Sequence, residues 1–264
     1  MDKKIKFSKY QGAGNDFVLI DNRSGFFDRN DDNLVHSLCD RRFGIGADGL
    51  MLLQKNRNFD FEMVYYNADG AEASMCGNGG RCIVAFARDL GIIHDKAVFL
   101  AVDGEHQAYI QDNQVDLGMI DVSAIQRDGQ AYILNTGSPH YVVWADGLQN
   151  RNVYEMGSAI RNSDTYKKEG INVNFVEQEQ EGYFVRTFER GVEDETLACG
   201  TGATAAAMAI ALHHGLEGKQ EIPIRVLGGQ LYISFDKQGQ RFTEVRLKGP
   251  AQLVFEGELS SFFS

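Results

Sequence analysis

Segments in which apolar and polar residues alternate recur along most of the chain and predict many β-strands. These segments are residues 59–66, 98–102, 106–110, 115–117, 182–188, 222–227, 231–235 and 242–247. Turn sequences such as Asp103-Gly104 and Gly228-Gly229 separate neighbouring segments and favour hairpins. Residues 81–90 and 204–214 predict helices instead, each followed by a glycine of the kind that ends a helix.

A short motif occurs at the same place in each half of the chain. Cys76-Gly77-Asn78-Gly79 and Cys199-Gly200-Thr201-Gly202 both read C-G-x-G, and each directly precedes a predicted helix that alternating strands follow. We therefore predict an α+β fold of two pseudo-symmetric domains. Each would be a central helix packed against a largely antiparallel sheet, with a ligand cleft between the domains. Residues 1–118 would carry Cys76 and residues 119–264 Cys199, leaving open whether the C-terminal tail returns to the first half.

Composition and charge narrow the class of protein. The 264 residues are 43% apolar, which is enough for a sizeable core and excludes a disordered chain. Acidic residues outnumber basic ones by 37 to 26, which disfavours nucleic acid or an anionic membrane as a partner. The N-terminus has no signal-peptide pattern, and no apolar run is long enough to span a bilayer. Four cysteines without a CxxC pair favour free thiols in the cytoplasm. We expect a small-molecule substrate and leave the oligomeric state, including a homodimer, open.

The two motif cysteines are the strongest candidates for chemistry. A thiol at the start of a helix lies beside unpaired backbone N–H groups, which favour the thiolate and can also bind a carboxylate. A thiolate on one face of a bound carbon and a thiol on the other can remove and return a proton. That inverts a stereocentre without a cofactor. Cys39 and Cys82 are predicted to pack in the core instead, and the spacing of the four cysteines matches no metal site.

The segment Gly44-Ile45-Gly46-Ala47-Asp48-Gly49 matches the letters of a dinucleotide-binding motif. That motif requires a strand before it and a helix after it. Here a helical pattern precedes the segment and an apolar, strand-like run at 50–53 follows it. We therefore do not expect nucleotide binding.

Several segments, in order and over nearly the whole chain, resemble the diaminopimelate epimerase family. They are residues 12–17, 67–70, 75–82, 137–140, 172–175, 189–191 and 198–202. The resemblance implies an isomerase that interconverts LL- and meso-2,6-diaminopimelate in lysine biosynthesis, without pyridoxal phosphate or any other cofactor. It also implies the two-domain fold with a central helix in each half.

The same resemblance implies roles for individual residues. Cys76 and Cys199 would be the two acid–base groups. The groups that bind the reacting α-carboxylate would be Gly77, Asn78, Gly200 and Thr201. The rest of the substrate would be bound by Asn15, Asn67, Asn172, Glu189 and Arg190, with Arg190 as the partner of the distal carboxylate. His140 would be a supporting residue. Glu189 and His140 match positions near the thiols, and which thiol each assists stays open.

Three features depart from the family pattern. Gly49 stands where many members have a polar glutamine, so one distal hydrogen bond is missing or made by backbone. Ser138 replaces an asparagine before Pro139-His140. The segment from 189 to 199 is one residue longer than usual. All three concern substrate recognition and loop shape, and neither motif cysteine is affected.

Alternative functions use the same pair of cysteines. Proline racemases and hydroxyproline epimerases resemble this chain, but their first motif has histidine where this chain has Asn78. The chain could also be a thiol redox protein, in which two cysteines of low pKa form a disulfide. A catalytically silent amino-acid-binding module is a third alternative, which the presence of both cysteines disfavours.

Overall fold

The computed structural model describes residues 4–73 and 75–260. The chain divides into two compact units, one formed by Met1–Leu117 with Pro250–Ser264 and the other by Gly118–Gly249. No helix within the described ranges is both long and apolar enough to cross a membrane.

The first unit alternates strands with two helices. Its elements are Ile5–Gly12 (β1), Asn15–Asp21 (β2), Asp32–Cys39 (α1), Gly49–Gln54 (β3), Phe61–Asn67 (β4), Gly77–Asp89 (α2), Lys96–Ala101 (β5), Gly104–Gln111 (β6) and Gln114–Gly118 (β7). Neighbours in the sheet follow chain order, with β2–β3 and β4–β5 parallel and the other pairs antiparallel. Helix α2 packs against β1, β2, β3 and β6.

The second unit repeats this arrangement. Its elements are Ile125–Asp128 (β8), Ala131–Asn135 (β9), Pro139–Trp144 (β10), Val153–Arg161 (α3), Asn172–Glu179 (β11), Gly182–Glu189 (β12), Asp194–Thr196 (β13), Gly200–His213 (α4), Gly218–Val226 (β14), Gly229–Gln238 (β15) and Arg241–Pro250 (β16), with a short 3₁₀ helix at Leu148–Asn150. The pairs β10–β11 and β12–β14 are parallel and the rest antiparallel.

The order of elements in the two units corresponds step by step. In each unit a short helix connects the first parallel strand pair and a longer central helix connects the second. The last strand, Gln252–Leu259 (β17), pairs antiparallel with β1 in the first unit, as β8 pairs with β9 in the second. The predicted α+β class, the internal repeat and the largely antiparallel sheets are therefore confirmed.

The central helices begin earlier than the sequence predicted. Both start at the glycine directly after the motif cysteine, at Gly77 and Gly200, rather than near residues 81 and 204. Glycine has low intrinsic helix propensity, which hid these first turns. Packing explains them, because every residue of α2 from Gly77 to Ala87 is buried and the first turn of α4 is almost entirely so.

Candidate active site

Cys76 lies at the start of α2, within the first unit. It is the N-cap residue, has extended backbone geometry and is partly exposed. Its Sγ lies 3.9 Å from Asn15 Oδ1, and Asn78 Nδ2 donates to the same oxygen at 3.3 Å. The structure therefore brings four of the candidate residues together here, namely Asn15, Cys76, Gly77 and Asn78.

A cluster of four charged side chains holds Asn15 in place. Asn15 Nδ2 donates to Asp48, whose carboxylate also binds Arg41 at 2.6 Å. Arg41 binds Asp16 through both terminal nitrogens, and the buried Lys9 lies 2.8 Å from the same carboxylate. Because Asp48 can only accept, Asn15 must present its amide nitrogen to Asp48 and its oxygen to Cys76. This cluster was not predicted from the sequence.

Replacing Asp16 with asparagine is expected to destabilise the first unit at neutral pH. Burial alone would raise the pKa of Asp16, but hydrogen bonds from Arg41 and Lys9 outweigh it and lower the pKa to about 2. Asp16→Asn also leaves the buried Lys9 without its carboxylate. We expect a loss of about 2 kcal/mol in the free energy of unfolding at pH 7, discounted because Asp16 is partly exposed.

The pH dependence of this loss provides the check. A carboxyl whose folded pKa is depressed stabilises the fold above its unfolded pKa, and that stabilisation disappears as the pH falls through the folded pKa. Denaturant unfolding of Asp16→Asn and the parent should therefore differ at pH 7 and converge between about pH 4 and pH 2. An equal difference at both ends of that range would contradict this account.

Asn67 and Gly49 lie at the same end of the first sheet as Asn15. Asn67 is exposed at the end of β4 and pairs with Gly49, which pairs in turn with Phe17 of β2. A Cβ at position 49 would lie 2.5 Å from the Tyr66 carbonyl oxygen and 2.6 Å from the Tyr65 ring. The space that a longer residue would need here is therefore filled by Tyr65.

Cys199 occupies the corresponding place in the second unit. It is the N-cap residue of α4 and is buried, and its Sγ accepts the Gly202 N–H at 3.3 Å. Thr201 Oγ1 lies 3.5 Å from the same sulfur, and Thr136 Oγ1 donates to the Thr201 carbonyl at 2.8 Å. Thr136 therefore fixes the backbone of this first turn, a contact that was not predicted from the sequence.

Asn172, Arg190 and Ser138 form a second polar group in this unit. Asn172 Nδ2 donates to Ser138 Oγ at 2.9 Å, and the Arg190 backbone N–H donates to Asn172 Oδ1 at 2.9 Å. The exposed Arg190 guanidinium contacts the Glu169 carbonyl at 3.0 Å and Ser138 Oγ at 3.5 Å. Both are neutral acceptors, so Arg190 has no carboxylate partner among residues 4–73 and 75–260. Glu189, at the end of β12, accepts from Thr196 Oγ1.

His140 is fully buried on β10 and is held in one tautomer. Asn174 Nδ2 donates to the Tyr141 carbonyl at 3.1 Å and lies 3.1 Å from His140 Nδ1. Nδ1 must therefore accept, which places the ring proton on Nε2. Within the described part of the chain Nε2 has no hydrogen-bond partner. Burial, with a contribution from Arg190, lowers the pKa of His140 to about 3, so the ring is neutral. The pairing with Asn174 was not predicted from sequence.

Cys39 and Cys82 are predicted to resist alkylation in the folded protein. Both are buried, and burial raises the pKa of each thiol to about 12. The thiolate is the reactive form, so neither should react with iodoacetamide below about pH 10. Peptide mass spectrometry after labelling at pH 8 should find label at Cys76 and Cys199 only. Label at Cys39 or Cys82 before unfolding would contradict the prediction.

No group of three or more His, Cys, Asp or Glu side chains in the described residues is placed to hold a metal ion. The candidate residues of each unit carry mainly amide, hydroxyl, thiol and guanidinium groups, together with the Glu189 carboxylate and the His140 imidazole. Such groups bind carboxylates and transfer protons.

Comparisons with known proteins agree on one family. The family model for diaminopimelate epimerase matches residues 7–122 and 132–254. A diaminopimelate epimerase of Flavobacterium psychrophilum is 52% identical over 254 residues, covering 96% of this chain and 99% of the relative. One of Chlorobaculum tepidum is 40% identical, covering 94% of this chain and 99% of its own.

Solved structures with little sequence identity share the fold. A PhzF-family phenazine biosynthesis protein of Bacillus anthracis has a TM-score of 0.75 at 14% identity, covering 97% of this chain and 99% of its own. A hydroxyproline epimerase of Agrobacterium vitis has a TM-score of 0.70 at 14% identity, covering 99% of this chain and 94% of its own. At such low identity these similarities establish the fold only.

Proposed function

Because the chain belongs to the diaminopimelate epimerase family, we propose that it interconverts LL- and meso-2,6-diaminopimelate in lysine biosynthesis without a cofactor. One observation carries the proposal. Each unit has a cysteine as the N-cap residue of a glycine-opened helix, at equivalent positions in the two repeats. A cofactor-free inversion needs two such acid–base groups.

The proposed reaction uses one cysteine as base and the other as acid. The thiolate removes the α-proton, so that a C–H bond breaks and an S–H bond forms. The second thiol then gives its proton to the opposite face of the carbanion and becomes the thiolate. The stereocentre is inverted, and the two cysteines have exchanged protonation states. Return of the enzyme to its first state needs only proton exchange.

The candidate residues of the two units include groups that can bind both carboxylates of the substrate. Backbone N–H groups of Gly77, Asn78, Gly200 and Thr201, at the helix starts, would bind the α-carboxylate and favour the negative charge that develops beside it. Arg190 would bind the distal carboxylate, because its exposed guanidinium contacts only neutral acceptors in the described chain. Asn15, Asn67, Asn172 and Glu189 would contribute the remaining polar contacts.

His140 would support the site as a neutral hydrogen-bond donor. Its Nδ1 is occupied by Asn174, and its depressed pKa keeps the ring uncharged at neutral pH. It therefore cannot serve as a general base through Nδ1. We also place the reaction in the cytoplasm, where the four free thiols would stay reduced.

Stereochemical analysis of the product tests the proposed function. The purified protein, with reductant and no added cofactor, would be incubated with LL-diaminopimelate and, separately, with L-proline and trans-4-hydroxy-L-proline. Chromatography that resolves stereoisomers should detect meso-diaminopimelate and no change in the other two. Turnover of proline or hydroxyproline alone would instead indicate a proline racemase or a hydroxyproline epimerase. Absence of turnover with all three would contradict an epimerase function.

A further inference from the structure

Arg81 is a fully buried cation in the second turn of α2. Its guanidinium donates to the Gly77 carbonyl at 3.2 Å, to Asn78 Oδ1 at 2.9 Å and to the Pro250 carbonyl at 3.4 Å. The side chain therefore runs back toward the start of the helix, the end at which Cys76 lies. All three acceptors are neutral, so these contacts satisfy the donors without balancing the charge.

The described residues offer Arg81 no carboxylate. Burial lowers the pKa of its guanidinium, and the groups whose negative charge would raise it are the thiolates of Cys82 and Cys76. Cys82 stays neutral, because burial raises its pKa to about 12. A buried charge without a counterion is costly. Ionised Cys76 is therefore the anion that would balance Arg81.

Other charged groups lie on or next to the elements packed against α2. Ion pairs join Lys9 with Asp16, Arg41 with Asp48, Arg23 with Asp21 and Lys4 with Glu258, and His106 contacts Asp103. Lys6 acts on Glu258, while Glu256 and Glu105 accept hydrogen bonds from the neutral side chains of Ser8 and Gln107. At the far end of the helix, Arg88 binds Asp89. None of these groups is among those that act on Arg81.

The second unit has a neutral residue at the equivalent position. Thr204, like Arg81, lies five residues after its motif cysteine and is fully buried. Its Oγ1 donates to the Gly200 carbonyl at 2.9 Å, just as Arg81 donates to the Gly77 carbonyl. The two helix starts therefore share a hydrogen bond but differ by one positive charge.

We propose that Arg81 is a positioning residue whose fixed charge stabilises the ionised form of Cys76, whereas Thr204, at the equivalent position of the second unit, carries no charge. This inference rests on the proposed function, because it assigns Arg81 a part in the acid–base step through Cys76. The charge also offsets the Asn15 oxygen near the Cys76 sulfur, which by itself favours the protonated thiol. Through Asn78, Arg81 additionally fixes the amide that contacts Asn15.

The test is the pH dependence of cysteine alkylation in Arg81→Gln. This variant removes the charge while keeping a side chain that can donate to a nearby acceptor. Iodoacetamide labelling from pH 6 to pH 10, followed by peptide mass spectrometry, gives separate profiles for Cys76 and Cys199. The Cys76 profile should move up by about one pH unit or more, making labelling at pH 7 roughly tenfold slower. The Cys199 profile, measured in the same sample, should not move.

Two control variants separate charge from structure. Arg81→Lys keeps the charge but loses the planar set of donors, so its Cys76 profile should stay close to that of the parent. Thr204→Val removes the equivalent hydrogen bond without changing charge and should leave Cys76 unaffected. An unchanged Cys76 profile in Arg81→Gln, or equal shifts at Cys76 and Cys199, would overturn the inference. So would a shift in Arg81→Lys as large as that in Arg81→Gln.

A second measurement leaves Arg81 in place, in case its variants fail to fold. If Cys76 ionises more readily in the folded than in the unfolded state, it stabilises the fold increasingly as the pH rises from about 7 to 9. The stability difference between the parent and Cys76→Ser should therefore grow over that range. A difference that is independent of pH would overturn the inference.

Both measurements are independent of turnover. Diaminopimelate epimerisation by the unsubstituted enzyme is assayed separately. If the enzyme is active but the pH profile of Cys76 alkylation is the same in Arg81→Gln and the parent, the inference is wrong and the proposed function stands. If the enzyme is inactive but the Cys76 profile shifts in Arg81→Gln as expected, the proposed function is wrong and the effect of Arg81 on Cys76 stands.

Discussion

Replacing either Cys76 or Cys199 with alanine is expected to abolish epimerisation. In the proposed mechanism one sulfur must take the α-proton and the other must deliver a proton to the opposite face, so each variant lacks one required step. General acid–base groups contribute about 10²- to 10⁴-fold to rate, and we expect a loss in kcat of at least that size for each variant. Stereoisomer-resolved assays with LL-diaminopimelate would measure it.

Cys39→Ala provides the matched control. It also removes a thiol, but this thiol is buried in the hydrophobic core of the first unit. Burial raises its pKa to about 12. Its kcat should stay within a few-fold of the parent. Circular dichroism should give the parent spectrum for all three variants. If Cys76→Ala or Cys199→Ala kept more than a tenth of the parent kcat, a scheme with two essential cysteines would be wrong.

The second large effect is expected for Gly202→Ala. A Cβ at position 202 would lie 2.3 Å from Asn174 Oδ1 and 3.1 Å from Cys199 Sγ. Asn174 is fixed by Thr187, Tyr141 and His140, so it cannot move aside without breaking that network. The extra methyl group should displace the Cys199 sulfur and cost about 10²-fold in kcat/KM. It should also cost about 1–3 kcal/mol of stability.

Gly79→Ala is the matched control, because Gly79 holds the same place after Cys76. Its Cβ would lie 2.4 Å from the Met51 Cε and otherwise only in ordinary contact. Since a methionine end group can rotate away, Gly79→Ala should lose far less activity than Gly202→Ala. Steady-state kinetics and thermal unfolding of the two variants compare them directly. Equal losses would contradict a special role for the space around Cys199.

The pattern of the sequence predicted most of the fold. The repeated C-G-x-G motif and the strands after each central helix led to two equivalent halves, which the structure confirms. The first turns of α2 and α4 were missed, because glycine-rich sequence is typical of loops and only burial makes these turns helical. The elements Ile125–Asp128, Ala131–Asn135 and Val153–Arg161 have weaker patterns and were not predicted from periodicity.

The candidate site was predictable only where residues are adjacent in sequence. Both motif cysteines lie at helix starts, as the motif indicated. The contacts that fix the surrounding groups join distant segments, such as Asn15 with Asp48 and His140 with Asn174. Asp48 belongs to a glycine-rich stretch that had been set aside with the nucleotide hypothesis. Arg81 gave no signal in the sequence, because its significance depends on burial without a counterion.

Deuterium transfer from solvent tests the two-cysteine mechanism most directly. LL-Diaminopimelate would be incubated with the reduced enzyme in D₂O and followed by NMR at early times. A thiol that exchanges with solvent should place deuterium at the inverted α-carbon of the meso product. The remaining LL substrate should keep its hydrogen, because the other sulfur carries the abstracted proton. Deuterium appearing equally fast in the remaining LL substrate, or a meso product that retains the original hydrogen, would contradict the account.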